Sequence, residues 1–146
     1  MKVKIELVEE ITEPYIVIYA DKVSPLITKI ASVLESMIDE NVIAVHDKGR
    51  ISVLQPDDIY MVTIEDEHTV VHCKDKKINC SKRLYEFEEQ LGSSFMRISK
   101  STIVNLQHLD YVEPGWGGSM LLTLKNGSKD YISRKYLPTF KKYLGL

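Results

Sequence analysis

Two short stretches near the end of the chain carry side chains that could hold an anion. In "FMRISKSTIVN", Phe95 to Asn105, Arg97 and Ser99 alternate with Met96 and Ile98, and Lys100 and Ser101 follow at the end of the run. Arg134 and Lys135 come directly after Ser133, at the end of a later run, "KDYIS". Serine hydroxyls and backbone amides bond phosphate oxygens, and a forked guanidinium can read a guanine edge. Together they make the division of labour that DNA recognition needs. The competing reading is that each cation is a solvated charge on a sheet face.

The charge distribution favours a binding end. The formal net charge of −2 over 146 residues excludes a uniformly basic binder. From Met1 to Ser94 there are 11 Lys+Arg against 18 Asp+Glu, a balance of −7; from Phe95 to Leu146 there are 8 against 3, a balance of +5. Such a sign asymmetry marks a binding end and a solvating or partner-contacting end.

Enzyme chemistry is not legible. A catalytic site needs a nucleophile with its base, paired carboxylates, a metal set or a phosphate-cradling loop. His46, His68, His72 and His108 have no motif around them, and Cys73 and Cys80 with His72 nearby fall short of a four-ligand zinc site. The two cysteines are expected to pack as small apolar residues. "GWGG", Gly115 to Gly118, lacks the strand-loop-helix context and the following lysine of a phosphate loop, and reads as a wide hairpin turn, with Trp116 either packing on the sheet or exposed for contact. Asp57-Asp58 and "EDE" read as solvated loops. No enzyme, cofactor or metal is expected. The N-terminus "MKVKIELVEE" lacks a signal-peptide core, and no run approaches the roughly 20 apolar residues of a membrane span, so a cytoplasmic protein is expected.

The elements that must position these residues follow from periodicity. "VKIELVEEI" and "YIVIYA" read as strands, the first with Val3, Ile5 and Leu7 on its buried side. Ser24-Pro25 caps a helix through "SPLITKIASVLESMIDE". "VIAVH" and "RISVL" form a hairpin around "DKG", with Gly49 at positive φ. Leu54 to Asp58 breaks the pattern and marks a boundary, after which "IYMVTI" and "TVVHC" make a second hairpin. Ser81 is expected to cap a helix through "SKRLYEFEEQL" that ends at Gly92. "LDYVE" and "SMLLTL" flank "PGWGG", Asn126-Gly127 reads as a two-residue hairpin turn, and a final helix starts near Leu137. The fold class is α+β: an N-terminal strand-helix-strand region, residues 1–54, then a mainly antiparallel β domain with short helices, residues 55–146.

The residues themselves resemble a family. "FMRISKSTIVNLQHLDYVE" followed by "LKNGSKDYISRKYLPTFKKYL" is similar to the LytTR DNA-binding domain. Its pattern is Phe-x-Arg-hydrophobic-(His/Ser)-(Arg/Lys)-Ser-x-hydrophobic-Val-Asn, then an Asn-Gly turn and Ser-Arg-x-Tyr. Here these are Phe95, Arg97, Ile98, Ser99, Lys100, Ser101, Val104, Asn105, Asn126, Gly127, Ser133, Arg134 and Tyr136. The resemblance runs from about Asp57 to Leu146, and the whole chain looks like the small stand-alone regulators of that family. Met1 to Leu54 is too short for a receiver domain, which argues against direct phosphorelay control.

The resemblance implies a fold that lays loops, not a recognition helix, into DNA grooves, and paired copies on imperfect direct repeats of promoter DNA. By position, the turn at Glu67-His68 corresponds to a first contacting loop, Ser99-Lys100-Ser101 to a second, and Arg134 with Lys135 to a third. Arg97 belongs to the same set, and Asn105, Asn126, Gly127 and Ser133 are expected to support it, Asn105 by holding the Lys100 loop. Where many members carry His-Arg or His-Asn, this chain has Ser99-Lys100, a point charge instead of paired bonds. The expected function is a sequence-specific transcriptional regulator, a homodimer on double-stranded DNA, whose N-terminal region sets oligomeric state or contacts another protein. The alternatives are a small-ligand sensor, or an interaction module whose domain has lost DNA affinity.

Overall fold

The structure, a computed structural model, describes residues 1–11, 15–38 and 42–146, with only the backbone for 36–38. Among these residues are three α-helices, α1 (Pro25–Ile38), α2 (Leu84–Gln90) and α3 (Leu137–Leu144). Its strands are β1 (Ile43–Asp47), β2 (Arg50–Leu54), β3 (Met61–Glu65), β4 (His68–His72), β5 (Lys77–Cys80), β6 (Phe95–Ser99), β7 (Thr102–Asn105), β8 (Leu109–Pro114), β9 (Met120–Leu124) and β10 (Lys129–Ile132). All pairings are antiparallel: β1 with β2, a three-stranded sheet β10-β9-β8, and a five-stranded sheet β5-β4-β3-β7-β6.

The five-stranded sheet is the middle layer. Neighbouring residues of a strand point to opposite faces, and Val62 and Ile103 join one apolar cluster while Met61 and Val104 join the other. Ile43, Val45 and Leu54 of the β1-β2 hairpin and Leu84 and Phe87 of α2 complete the first cluster, which also contains Cys73 and Cys80. Leu122, Leu124 and Ile132 of the three-stranded sheet and Leu137, Phe140 and Tyr143 of α3 complete the second. Two covered faces hold the middle sheet rigid, and its turns become the places where side chains project.

Local chemistry sets most element ends. Ser24 Oγ accepts from Ile27 N–H at 3.3 Å and Pro25 opens α1; the expected last residues, Asp39 and Glu40, lie outside the described ones. The β1-β2 turn has Lys48 and Gly49 both at positive φ, 47° and 80°. That is the two-residue hairpin geometry whose twist matches the strands. Pro138 sits in the first turn of α3, and Gly145, at φ 77°, ends it in the left-handed conformation.

Four expectations differ. No strand forms in 1–11 or 15–20, and Val3, Ile5 and Leu7 are exposed, because alternation supplies a face but not a hydrogen-bonding neighbour. α2 starts after Arg83, not Ser81: Glu86 reaches back to accept from Arg83 N–H at 2.6 Å, so the carboxylate does the capping. The helix ends at Leu91 in extended backbone, without a left-handed glycine at Gly92. The Asn126-Gly127 loop holds three residues. Leu124 N–H bonds Ser128 O at 2.8 Å and Gly127 takes φ 87°, the bulged hairpin turn with glycine in its left-handed position.

Candidate nucleic-acid interface

β6 and β7 meet at a two-residue turn, Lys100-Ser101, beyond a register shift between Arg97 and Ser99. The shift lets Ile98 enter the core while Ser99 stays partly exposed next to the turn. Arg97 ties the turn down. Its Nε donates to Ser99 O at 3.0 Å, one terminal nitrogen donates to Lys100 O at 2.8 Å, and the other meets Glu88 at 2.6 Å. The Glu88 carboxylate on α2 therefore orients a guanidinium that holds the two carbonyls flanking the Lys100 amide. Ser101 N–H bonds Ser99 Oγ at 3.2 Å, which leaves the Lys100 side chain projecting from a braced loop.

The other two expected loops border this one. Ile64 N–H donates to Ser101 O at 2.9 Å, joining the β3-β4 turn to the Lys100 turn. That turn is Asp66-Glu67, both residues at positive φ, with Glu65 paired to His68 across it. It exposes His68 but also three carboxylates, Glu65, Asp66 and Glu67, so its net sign opposes phosphate. On the other flank, Ser133 N–H donates to Ile98 O at 2.9 Å, and Ser133 O accepts from Tyr136 and Leu137 N–H at 3.0 Å each. Ser133 thus anchors the turn that carries Arg134 and Lys135, both exposed, with Lys135 Nζ 5.4 Å from the Tyr136 ring centre.

Sequence reasoning left Trp116 open between packing on the sheet and exposure. It lies 88% exposed in the β8-β9 connection, where Gly117 adopts φ 61°. Arg134 lies against this connection: a Cβ placed on Gly117 would come within 3.1 Å of an Arg134 terminal nitrogen. The exposed indole thus sits in the connection next to Arg134, and the Ser133–Ile98 bond joins the Arg134 turn to the strand that leads into the braced Lys100 turn.

Residues 49–145 match the family model of the LytTr DNA-binding domain. The chain belongs to the LytTR family. Similar proteins include an uncharacterized HTH-type transcriptional regulator of Staphylococcus aureus (strain MSSA476), 27% identical over 146 residues, covering 100% of this chain and 99% of that protein. The sensory transduction protein LytR of Staphylococcus haemolyticus is 28% identical over 109 residues, 74% of this chain and 43% of that protein. Among solved structures, the LytTr DNA-binding domain of a putative methyl-accepting/DNA response regulator from Bacillus cereus superposes with a TM-score of 0.67. It is 26% identical, covering 74% of this chain and 100% of that one. Among the described residues of this LytTR protein no two α-helices follow each other across a short turn.

Asn105, expected to hold the Lys100 loop, lies elsewhere. Asn105 is fully buried at the end of β7 away from Lys100. Its amide donates to Ile59 O at 3.0 Å and its carbonyl accepts from Gln107 N–H at 3.1 Å. It therefore fixes the entry to β3 and the turn after β7, and Arg97 is what holds the Lys100 loop. Asn126 donates to Cys73 O at 2.9 Å and accepts from Ser128 N–H at 3.0 Å, tying the β9-β10 hairpin to the middle sheet. Between the two sheets, Thr102 Oγ1 donates to Asp130 at 2.5 Å.

His72 also lies buried, its Nε2 2.9 Å from Thr63 Oγ1 and 4.0 Å from a Glu65 oxygen, with no partner for Nδ1 among the described residues. Burial holds its pKa below the ordinary histidine value, and Glu65 only partly opposes this. Because the unfolded chain takes the proton first, this residue leaves stability untouched above pH of about 6.5 and lowers it as the pH falls below that. Urea midpoints at pH 7.5 and 5.5 are expected to differ less in His72→Gln than in the natural protein; an equal difference removes His72 as the cause. Cys73 and Cys80 are free buried thiols whose pKa values burial pushes up.

Proposed function

We propose that this LytTR protein is a sequence-specific transcriptional regulator whose copies bind in pairs on imperfect direct repeats of promoter DNA. The observation that carries the reading is a run of neighbours, taken here as one rim: the Lys100 turn held by Arg97, the Arg134 turn joined to its strand by the Ser133–Ile98 bond, and the Trp116 connection against Arg134. The names of the relatives, transcriptional regulator and sensory transduction protein, accord with it. No helix among the described residues is long and apolar enough to cross a membrane. Action in the cytoplasm, where promoter DNA is, completes the reading.

Each residue has a separate part. Arg134 reads a guanine edge; Lys100, Ser101 and Lys135 meet phosphates; Ser99, Arg97 and Ser133 position them. Trp116 packs on the sugar-phosphate wall beside Arg134. His68 approaches the backbone only at the margin, since the acidic turn beside it is repelled. Residues 55–146 form the DNA-binding part. Residues 1–54 set the oligomeric state or contact a protein partner, although the β1-β2 hairpin inside that range shares the first core cluster.

The test uses the only tryptophan in the chain. Titrating the protein with duplex DNA is expected to quench or blue-shift the emission of Trp116; saturable binding that leaves the spectrum unmoved takes this rim off the interface. For Lys100→Ala the log K against log salt slope is expected to become shallower by about one unit, the share of one released counterion. An unchanged slope refutes the phosphate assignment.

A further inference from the structure

The N-terminal segment has a strand pattern and no partner. Residues 1–8 run without helix or strand to a turn at Glu9-Glu10, and Val3, Ile5 and Leu7 are 87%, 83% and 95% exposed. Lys4 and Glu6 lie on the alternate positions, 2.6 Å apart in an exposed ion pair. Among the described residues, no strand of the chain pairs with this segment. Tyr15 to Tyr19 is a second exposed, apolar segment of the same region. A soluble chain that leaves such side chains open is incomplete without something that covers them.

We propose that the segment Lys2 to Val8 pairs antiparallel with the same segment of a second copy, about a two-fold axis through Ile5. In that register Ile5 faces Ile5, and Val3 faces Leu7 twice. On the other face Lys4 of each copy meets Glu6 of the other. The charges choose this register over its neighbours. A shift of two residues one way sets Lys4 against Lys4, although Lys2 then meets Glu6, and a shift the other way sets Glu6 against Glu6; a shift of one sets Lys4 and Glu6 against apolar residues. Of these registers, only the proposed one sets both Lys4 and Glu6 against an opposite charge with no like-charge pair, the self-complementarity that favours an isologous contact. The pairing also uses the unsatisfied backbone groups of both segments.

This inference rests on the reading that copies act in pairs, and supplies their contact. A two-fold contact relates the two DNA-binding parts by rotation, whereas direct repeats relate their sites by translation. Residues 15–24, which carry no helix or strand, are where that difference is absorbed.

Charge exchange tests the register on the full chain without DNA. The natural protein is expected to sediment as a dimer at micromolar concentration. Lys4→Glu and Glu6→Lys each place two like-charge pairs across the axis, and each is expected to weaken the dimer about tenfold or more. An equimolar mixture of the two variants has opposite charges at both pairs and is expected to dimerise again. The ion pair within one chain cannot produce that rescue.

A second measurement does not depend on charge. Residues opposite each other in a strand pair have Cα atoms about 4.5 to 5.5 Å apart, within disulfide reach. Ile5→Cys is expected to cross-link two chains under mild oxidation, and Lys4→Cys, facing position 6, is not. Monomeric natural protein, variants that dimerise unchanged, or a mixture without rescue overturns the proposal. Binding of the natural protein to repeat and single-site duplexes, measured separately, judges the DNA reading on its own.

Discussion

Replacing Asn105 by alanine is expected to cost the fold about 3 kcal/mol in urea unfolding while leaving the DNA affinity of the folded protein within about twofold. Asn105 stands in the most distinctive stretch of the LytTR motif, which invites a role in contact. Its surroundings argue otherwise, for it is fully buried between the Ile59 carbonyl and the Gln107 amide. Alanine leaves the buried Ile59 carbonyl without its donor, at about 1–3 kcal/mol, takes the cap from the half-buried Gln107 amide, and opens a small cavity. Asn105→Asp separates the two bonds: the carboxylate still accepts from Gln107 but turns an oxygen toward the Ile59 carbonyl. It is expected to be no more stable than the alanine variant. A loss of affinity for cognate DNA with unchanged unfolding would return Asn105 to the interface.

How much of this was legible depends on the distance over which a residue acts. Ser24-Pro25, Lys48-Gly49 and Pro138 determine local backbone through their own chemistry, and the elements they delimit were readable from spacing. Asn126-Gly127 marked a hairpin, but the register that makes its loop three residues long is fixed by Ser128 accepting from Leu124. The cap of α2 turned on competition between Ser81 and the pair Arg83-Glu86, which composition does not decide. At the interface, the stretch around Lys100 and Arg134 was visible as basic residues at strand ends. Its bracing was not, because Glu88 on α2 selects the guanidinium position of Arg97. Trp116 was noticed and left undecided, since only the folded chain sets the β8-β9 connection against Arg134.

For Arg134→Ala, the preference for the cognate repeat over random DNA is expected to fall by about 1–3 kcal/mol, the scale of one good base contact. Arg134 is exposed on an anchored turn, so its loss leaves no buried partner and should leave stability within about 0.5 kcal/mol. Its planar fork can place two parallel N–H donors on the O6 and N7 atoms of guanine, whereas an ammonium supplies only a point charge. Arg134→Lys is therefore the sharper variant: it keeps the attraction to phosphate and the affinity for random DNA but loses most of the preference. Gel-shift titrations of both duplexes at fixed salt distinguish the roles. If Arg134→Lys binds the cognate repeat as well as the natural protein, or if Arg134→Ala weakens both duplexes equally, Arg134 is a phosphate contact. In that case the braced Lys100 turn, with its serines, is left to supply the sequence choice.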